Sequence, residues 1–205
     1  MTIVNGYCTL AELKSAPALN LSTATTNDTL YETVITAVSR SIDMQTARYF
    51  YKSTAAETRY FTANNPERIF VGDVVSLSTL YTDTVSGDRS YPYEWSSTDY
   101  DLYPYNDGQL SEPEPYRFID RTPRGLYQFP VGLPKGVKVT AIFGWAAVPA
   151  AISKACLLWA ERMVKRFDTP LGVSASTALG EMQVKVPPPD PDVEAILSNY
   201  RLVGV

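Results

Sequence analysis

The sequence predicts an α+β fold: a bundle of about four helices carrying a β-rich antiparallel insertion between the second and third. Three observations predict it. Apolar residues recur at helical spacing over residues 28–49 and again over 149–167. Between those stretches, from Thr58 to Trp145, the pattern shortens to strand-like runs separated by turn signals. No Gly/Ser-rich hinge brackets the middle region, so it reads as part of one domain, with 1–57 and 146–205 as the bundle and 58–145 as the insertion.

The stretch from Pro149 to Phe167 is expected to organise the bundle. Ile152, Ala155, Cys156, Trp159, Met163 and Phe167 form one broad apolar face. Pro149 suits a first turn, and Lys165 and Arg166 complement the dipole in the last. Leu157, Leu158 and Val164 widen the apolar arc, so this helix is expected to be gripped from more than one side, with Cys156 and Trp159 buried.

The other helices follow from their ends. Thr9-Leu-Ala-Glu12 is a capping box that opens a short helix over 10–15, flanked by Cys8 and Leu13 at staple positions and stopped by Pro17. The second helix is expected over 28–49, with Leu30, Val34, Val38 and Ile42 as its stripe and Tyr31, Ile35 and Tyr49 broadening it. Arg40, Asp43 and Arg48 fall among its polar positions, and Thr29-x-x-Glu32 offers an alternative start. After 168 comes a small, polar run, a candidate strand over 181–186 and an extended Pro187-Pro-Pro189 spacer. Asp190 as N-cap and Pro191 at the first helical position begin a last helix over 191–200, with Val193, Ile196, Leu197 and Tyr200 as its apolar face. An apolar tail runs from Leu202 to Val205.

Strands are expected over 58–61, 68–71, 75–81, 99–103, 116–119 and 137–143. Residues 83–114 hold eight carboxylates (Asp83, Asp88, Glu94, Asp99, Asp101, Asp107, Glu112 and Glu114) against Arg89 alone. Tyr91, Tyr93, Tyr100, Tyr103, Tyr105 and Tyr116 lie in or beside the same stretch. Two readings fit: solvated acidic loops with tyrosines packed on the sheet, or a surface that binds sugar or protein through tyrosine.

Composition narrows the function. The net charge is −4 and no segment is strongly basic, which argues against a protein that grips nucleic acid. There is no histidine, which removes Ser-His and Cys-His nucleophile pairs and the usual zinc sites. No phosphate-loop or nucleophile-elbow motif is present. Asp99 and Asp101 could face one way on a strand, which leaves a carboxylate-pair hydrolase as the enzyme reading. Cys8 and Cys156 read as two reduced thiols. With neither a signal-like start nor an apolar stretch of membrane length, the chain is expected to be soluble and made in the cytoplasm.

Several segments together resemble the head-tail connector (adaptor) proteins of tailed bacteriophages, the gp6-like family. They are Tyr7-Cys-Thr-Leu-Ala-Glu-Leu-Lys14, Ser39-Arg-Ser-Ile-Asp43 followed by Arg48-Tyr-Phe-Tyr51, and Phe143-Gly-Trp-Ala-Ala-Val-Pro149. Ala155-Cys-Leu-Leu-Trp-Ala-Glu-Arg162, Lys165-Arg-Phe-Asp-Thr-Pro-Leu-Gly172, Asp190-Pro-Asp-Val193 and Tyr200-Arg-Leu202 complete the set, while 64–128 match thinly. The resemblance implies a structural protein of the virion with no cofactor and no metal. It implies a homo-oligomeric ring, dodecameric, beneath a portal protein and above a tail or tail-completion protein, with DNA passing through and no membrane. On that reading Ile152, Cys156, Trp159, Met163 and Phe167 are the core and assembly helix. Tyr200, Leu202, Val203 and Val205 are the portal-contacting arm. The rival reading is a Tyr-rich module that binds carbohydrate or protein.

Overall fold

The structure is a computed structural model that describes residues 3–17, 19, 25–106, 113–168 and 190–202. Among these the order is α1 (Leu10–Ser15), α2 (Asp28–Thr46), β1 (Glu57–Phe61), β2 (Arg68–Thr82), β3 (Tyr93–Glu94), β4 (Tyr100–Tyr103), β5 (Tyr116–Arg121), β6 (Val137–Phe143), α3 (Ala150–Asp168) and α4 (Pro191–Ser198). All the strands lie between α2 and α3 and pair antiparallel, so the fold is the expected α+β. The chain divides into two compact units: a helical one, up to Arg48 and from Val148 onward, and a β one from Tyr49 to Ala147.

In the helical unit, local chemistry sets most helix ends. The Thr9 hydroxyl accepts the Glu12 N–H at 3.1 Å, and the Glu12 carboxylate accepts the Thr9 N–H at 2.7 Å, which closes the capping box of α1. Helix α2 starts at Asp28 without a side-chain cap on Asn27, so the second capping box is not used. It ends at Thr46, three residues before the expected end, because Ala47 turns left-handed at φ 55°. Tyr31, Val34, Ile35, Val38 and Ile42 make its buried face, while Leu30, expected on the stripe, is 41% exposed. Helix α4 begins as expected: the Asp190 carboxylate accepts the Asp192 N–H at 2.8 Å and Pro191 follows. It buries Val193 and Leu197 and ends at Ser198, with Tyr200 half-buried beyond it.

Helix α3 buries a different seam from the one the sequence predicts. Ile152, Cys156, Ala160 and Val164, four residues apart, are fully or nearly fully covered, with Ala155 beside them. Trp159 and Met163 are only half-buried and Phe167 is 59% exposed. The expected face swung one residue too early after Cys156, because a large indole outweighs an alanine in any hydrophobicity reading. The seam that is covered carries the small side chains of Ala155 and Ala160, and α2 and α4 both pack on α3.

In the β unit the strand order is β1-β6-β2-β5-β4, with β3 paired to β2. Strand β6 is the clearest reading in the chain: Val137, Val139, Ala141 and Phe143 are buried and the residues between them are half-buried. The two strands expected at 68–71 and 75–81 are one strand. Its register shifts between Phe70 and Val74, between Val74 and Ser76, and between Leu77 and Thr79. Those bulges break the alternation, and they let the first part of β2 pair with β5 and the second with β6. Inside, Trp95 stacks on Phe129 with centroids 4.6 Å apart and planes 14° apart, and its Nε1–H donates to the Thr82 hydroxyl at 3.1 Å.

The chain enters and leaves the β unit side by side. The Ser53 N–H donates to the Phe143 carbonyl at 2.8 Å, and the Phe143 N–H donates to the Ser53 hydroxyl at 3.0 Å. Phe50 packs on Trp145 with centroids 5.4 Å apart. Gly144, at φ 102°, lies flat against the Tyr51 carbonyl. Its N–H donates to the Asp73 carbonyl at 2.8 Å, and the Trp145 indole donates to the Asp73 carboxylate at 3.2 Å.

Candidate functional site

The helical unit has a polar interior. Tyr7 is 2% exposed, and its phenol donates to the buried Asp43 carboxylate. Arg40 Nε lies 2.8 Å from Asp43 Oδ2, and the Arg40 guanidinium also donates to the Asn5 carbonyl at 2.9 Å. Asp43 is thus not on the wet side of α2, where its charge would put it. Burial pushes its carboxyl pKa above the ordinary value, and the Tyr7 and Arg40 bonds offset only part of that.

In the β unit, Asp120 answers in the opposite sense. Arg68 donates to it twice, at 2.5 and 2.6 Å, and the Tyr105 phenol donates at 2.5 Å. Burial alone would raise its pKa, but these bonds outweigh burial and hold it low. The stability linked to Asp43 is therefore present below its unfolded pKa and is lost as pH rises through its folded one. That linked to Asp120 is present above its unfolded pKa and is lost as pH falls through its folded one. Asp120→Asn should reduce the loss of stability on acidification, and Asp43→Asn should reduce the loss on raising pH through the upper carboxyl range. Urea midpoints measured across acidic pH check both signs.

The end of α2 has no basic residue in its last turn, and the C-terminal segment supplies the missing donors. Arg201 Nε donates to the Gln45 carbonyl at 3.2 Å and the Leu202 N–H to the Thr46 carbonyl at 3.0 Å. Arg48 donates to the Tyr200 carbonyl at 3.5 Å, and Arg201 pairs with Glu194 at 2.7 Å. Tyr200 and Leu202 of the expected arm are thereby fastened to α2; Val203 and Val205 lie outside the described residues. So do the candidate strand over 181–186, the Pro187-Pro-Pro189 spacer, Asp107 and Glu112. Arg162 of α3 forms an ion pair with Asp190, so the N-cap of α4 also ties it to α3.

Of the five residues expected on the assembly helix, the structure brings Ile152 and Cys156 into the core. Trp159, Met163 and Phe167 fall on a neighbouring stripe, at i, i+4 and i+8, that the unit only partly covers. Sequence reasoning missed Ala160 as a core position. The signal available was the four-residue row through Ile152, Cys156, Ala160 and Val164.

The acidic, tyrosine-rich stretch separates into braces, core and surface. Asp83 is buried and accepts backbone N–H groups from Thr84, Arg89 and Tyr91 at 2.9, 2.8 and 3.3 Å. Asp99 is buried and accepts the Ser96 N–H at 3.0 Å. Asp101 is exposed on β4, opposite Asp120. The expected carboxylate pair therefore does not converge, since Asp99 is spent on a turn. Tyr100 and Tyr116 pack against the β core, and burial raises the Tyr100 phenol pKa. Tyr60 and Tyr91 lie 5.6 Å apart, and Lys138 sits 5.4 Å from the Tyr81 ring and 5.8 Å from that of Tyr91. Tyr60 is 47% and Tyr105 57% exposed. Among the described residues no group of His, Cys, Asp and Glu is placed to hold a metal ion, and no helix is long and apolar enough to cross a membrane.

Two solved structures share this fold. One is a chain in the neck of an empty gene transfer agent particle computed with C6 symmetry, at TM-score 0.57 and 16% identity, covering 100% of this chain and 94% of that one. The other is a chain in the virion of the native gene transfer agent particle, at TM-score 0.50 and 17% identity, again covering 100% and 94%. No family model and no curated protein matches the chain. The shared fold runs end to end, so it includes the β insertion that the sequence resemblance matches thinly.

Proposed function

We propose that this chain is a structural protein of the head-tail neck of a phage-like particle, an adaptor whose copies join in a ring around the DNA channel. The observation that carries the reading is its end-to-end fold likeness to a chain from a gene transfer agent neck. Three features of the chain support it. Trp159, Met163 and Phe167 give α3 a second apolar stripe suited to a neighbouring copy. The net charge of −4 suits a wall past which DNA moves, because phosphate contacts would hold it. The buried acids of the tyrosine-rich stretch, Asp83 and Asp99, brace loops through backbone N–H groups.

In this proposal the partners are further copies of the chain, a portal protein on one side and a tail or tail-completion protein on the other. The ring is dodecameric and located in the virion. The narrower gp6-like membership and the dodecameric count rest on sequence resemblance. The tail beyond Leu202 is the proposed portal contact, with its root held on α2.

Two variants test the reading. Trp159→Ser combined with Phe167→Ser should leave the thermal midpoint within a few degrees of the parent, since neither side chain is fully buried. It should abolish ring formation, read as solution mass by light scattering in the presence of portal. Deleting 203–205, which spares the Leu202 cap on α2, should give folded protein that fails to complete portal-bearing heads. A variant pair that assembles and completes heads at the parental rate would refute these assignments. Glycan binding by a stable monomer, through the Tyr60–Tyr91 surface, would favour the binding-module reading instead.

A further inference from the structure

Cys8 and Cys156 stand 148 positions apart in the chain, yet their sulfur atoms are 3.3 Å apart. Cys8 is held immediately before the capping box of α1, and Cys156 faces the core from α3. Ser39 of α2 braces the place where they meet. Its hydroxyl accepts the Tyr7 N–H at 3.1 Å and lies 3.6 Å from the Cys156 sulfur. Both thiols are free and buried, at 6% and 0% exposure. A disulfide bond of about 2.05 Å needs the sulfurs to close by only about 1.2 Å.

We propose that Cys8 and Cys156 are a redox latch: a hydroperoxide oxidant converts the two thiols to a disulfide that ties the N-terminal segment to α3. Hydrogen peroxide is small enough to reach a buried sulfur through local opening. The Cys156 thiolate attacks one peroxide oxygen; the O–O bond breaks, hydroxide leaves, and Cys156 becomes a sulfenic acid. Cys8 then attacks that sulfur, the S–S bond forms, and the sulfenic hydroxyl departs with the Cys8 proton as water. In total two thiols lose two protons and two electrons, and one peroxide takes them up to become two waters. The order of attack follows from the unequal acidity of the two thiols. The hydrogen bond between the two sulfurs lowers the Cys156 thiol pKa despite burial, while the same bond and burial raise that of Cys8. Closure cross-links the helical unit across a loop that contains the whole β unit, which restricts the unfolded chain.

The test uses the full chain, reduced, freed of reductant and exposed to hydrogen peroxide. Both thiols should disappear together, the intact mass should fall by two hydrogens, and digestion should yield a linked Cys8–Cys156 peptide. The thermal midpoint should rise by about 5–10 °C and return on reduction with dithiothreitol. Cys8→Ser, whose hydroxyl can keep a hydrogen bond to Cys156, should instead collect a dimedone-reactive sulfenic acid at Cys156 with no rise in midpoint, and Cys8→Ala, which removes that bond, should show neither the linked peptide nor the rise. Retained thiols, dimers linked between chains, or sulfinic acids formed without a linked peptide would each overturn the latch. These outcomes are independent of whether the chain belongs to a neck.

Discussion

Gly144→Ala should leave little folded protein at physiological temperature. Gly144 has φ 102°, a region that L side chains rarely adopt, and an added Cβ would overlap the Tyr51 carbonyl oxygen and stand 2.8 Å from its carbon. The obstruction is backbone, so no rotamer change relieves it. Relief requires parting residues 51–53 from 143–144, which breaks the Ser53–Phe143 pair of hydrogen bonds and disturbs the packing of Phe50 on Trp145. Overpacking of about 1–3 kcal/mol and backbone strain of similar size add to those losses. Against a typical stability of about 5–15 kcal/mol, the sum reaches a large fraction of the total. Soluble yield and a urea melt check this; a variant with the parental midpoint would show that the crossing is not tight.

Trp95→Ala should produce the second large loss, about 3–5 kcal/mol, as for an emptied aromatic site. Trp95 is 4% exposed, stacks on Phe129 and satisfies its indole N–H on Thr82, so truncation empties the centre of the β core and removes the donor to that hydroxyl. Trp159→Ala should cost distinctly less in the same melt, because half-buried Trp159 leaves a smaller cavity. The ranking discriminates between two accounts of the protein. A sequence reading makes Trp159 the anchor; the structure makes Trp95 the anchor and leaves Trp159 half-buried. Equal losses for the two variants would return Trp159 to the core.

What the sequence made legible was mostly local. The capping box at Thr9, the Asp190-Pro191 start of α4 and the alternation of β6 depend on residues within one or two turns or one strand. They appear where the pattern places them. The positions that were misread, or not read at all, depend on partners far away in the chain. Gly144 is constrained by Tyr51, Asp43 by Tyr7, and the end of α2 by Arg201 and Leu202, none of which spacing reveals. The bulges in β2 hid one strand as two, since a register shift erases period-two patterning. The acidic stretch was ambiguous because a carboxylate that braces backbone N–H groups, such as Asp83, looks in composition like one that faces water. On α3, the reading from sequence took the stripe left half-covered for part of the buried one.

The central claim, that copies of this chain line the neck between head and tail, is tested most directly by imaging. Particles produced from a genome encoding the chain would be purified and their neck reconstructed by electron cryomicroscopy. The account predicts a closed ring of copies beneath the portal, each with α2, α3 and α4 packed as described, and with Trp159, Met163 and Phe167 against the adjoining copy. A neck whose density is filled by other chains, with this one absent or present only as isolated copies elsewhere on the particle, would contradict it.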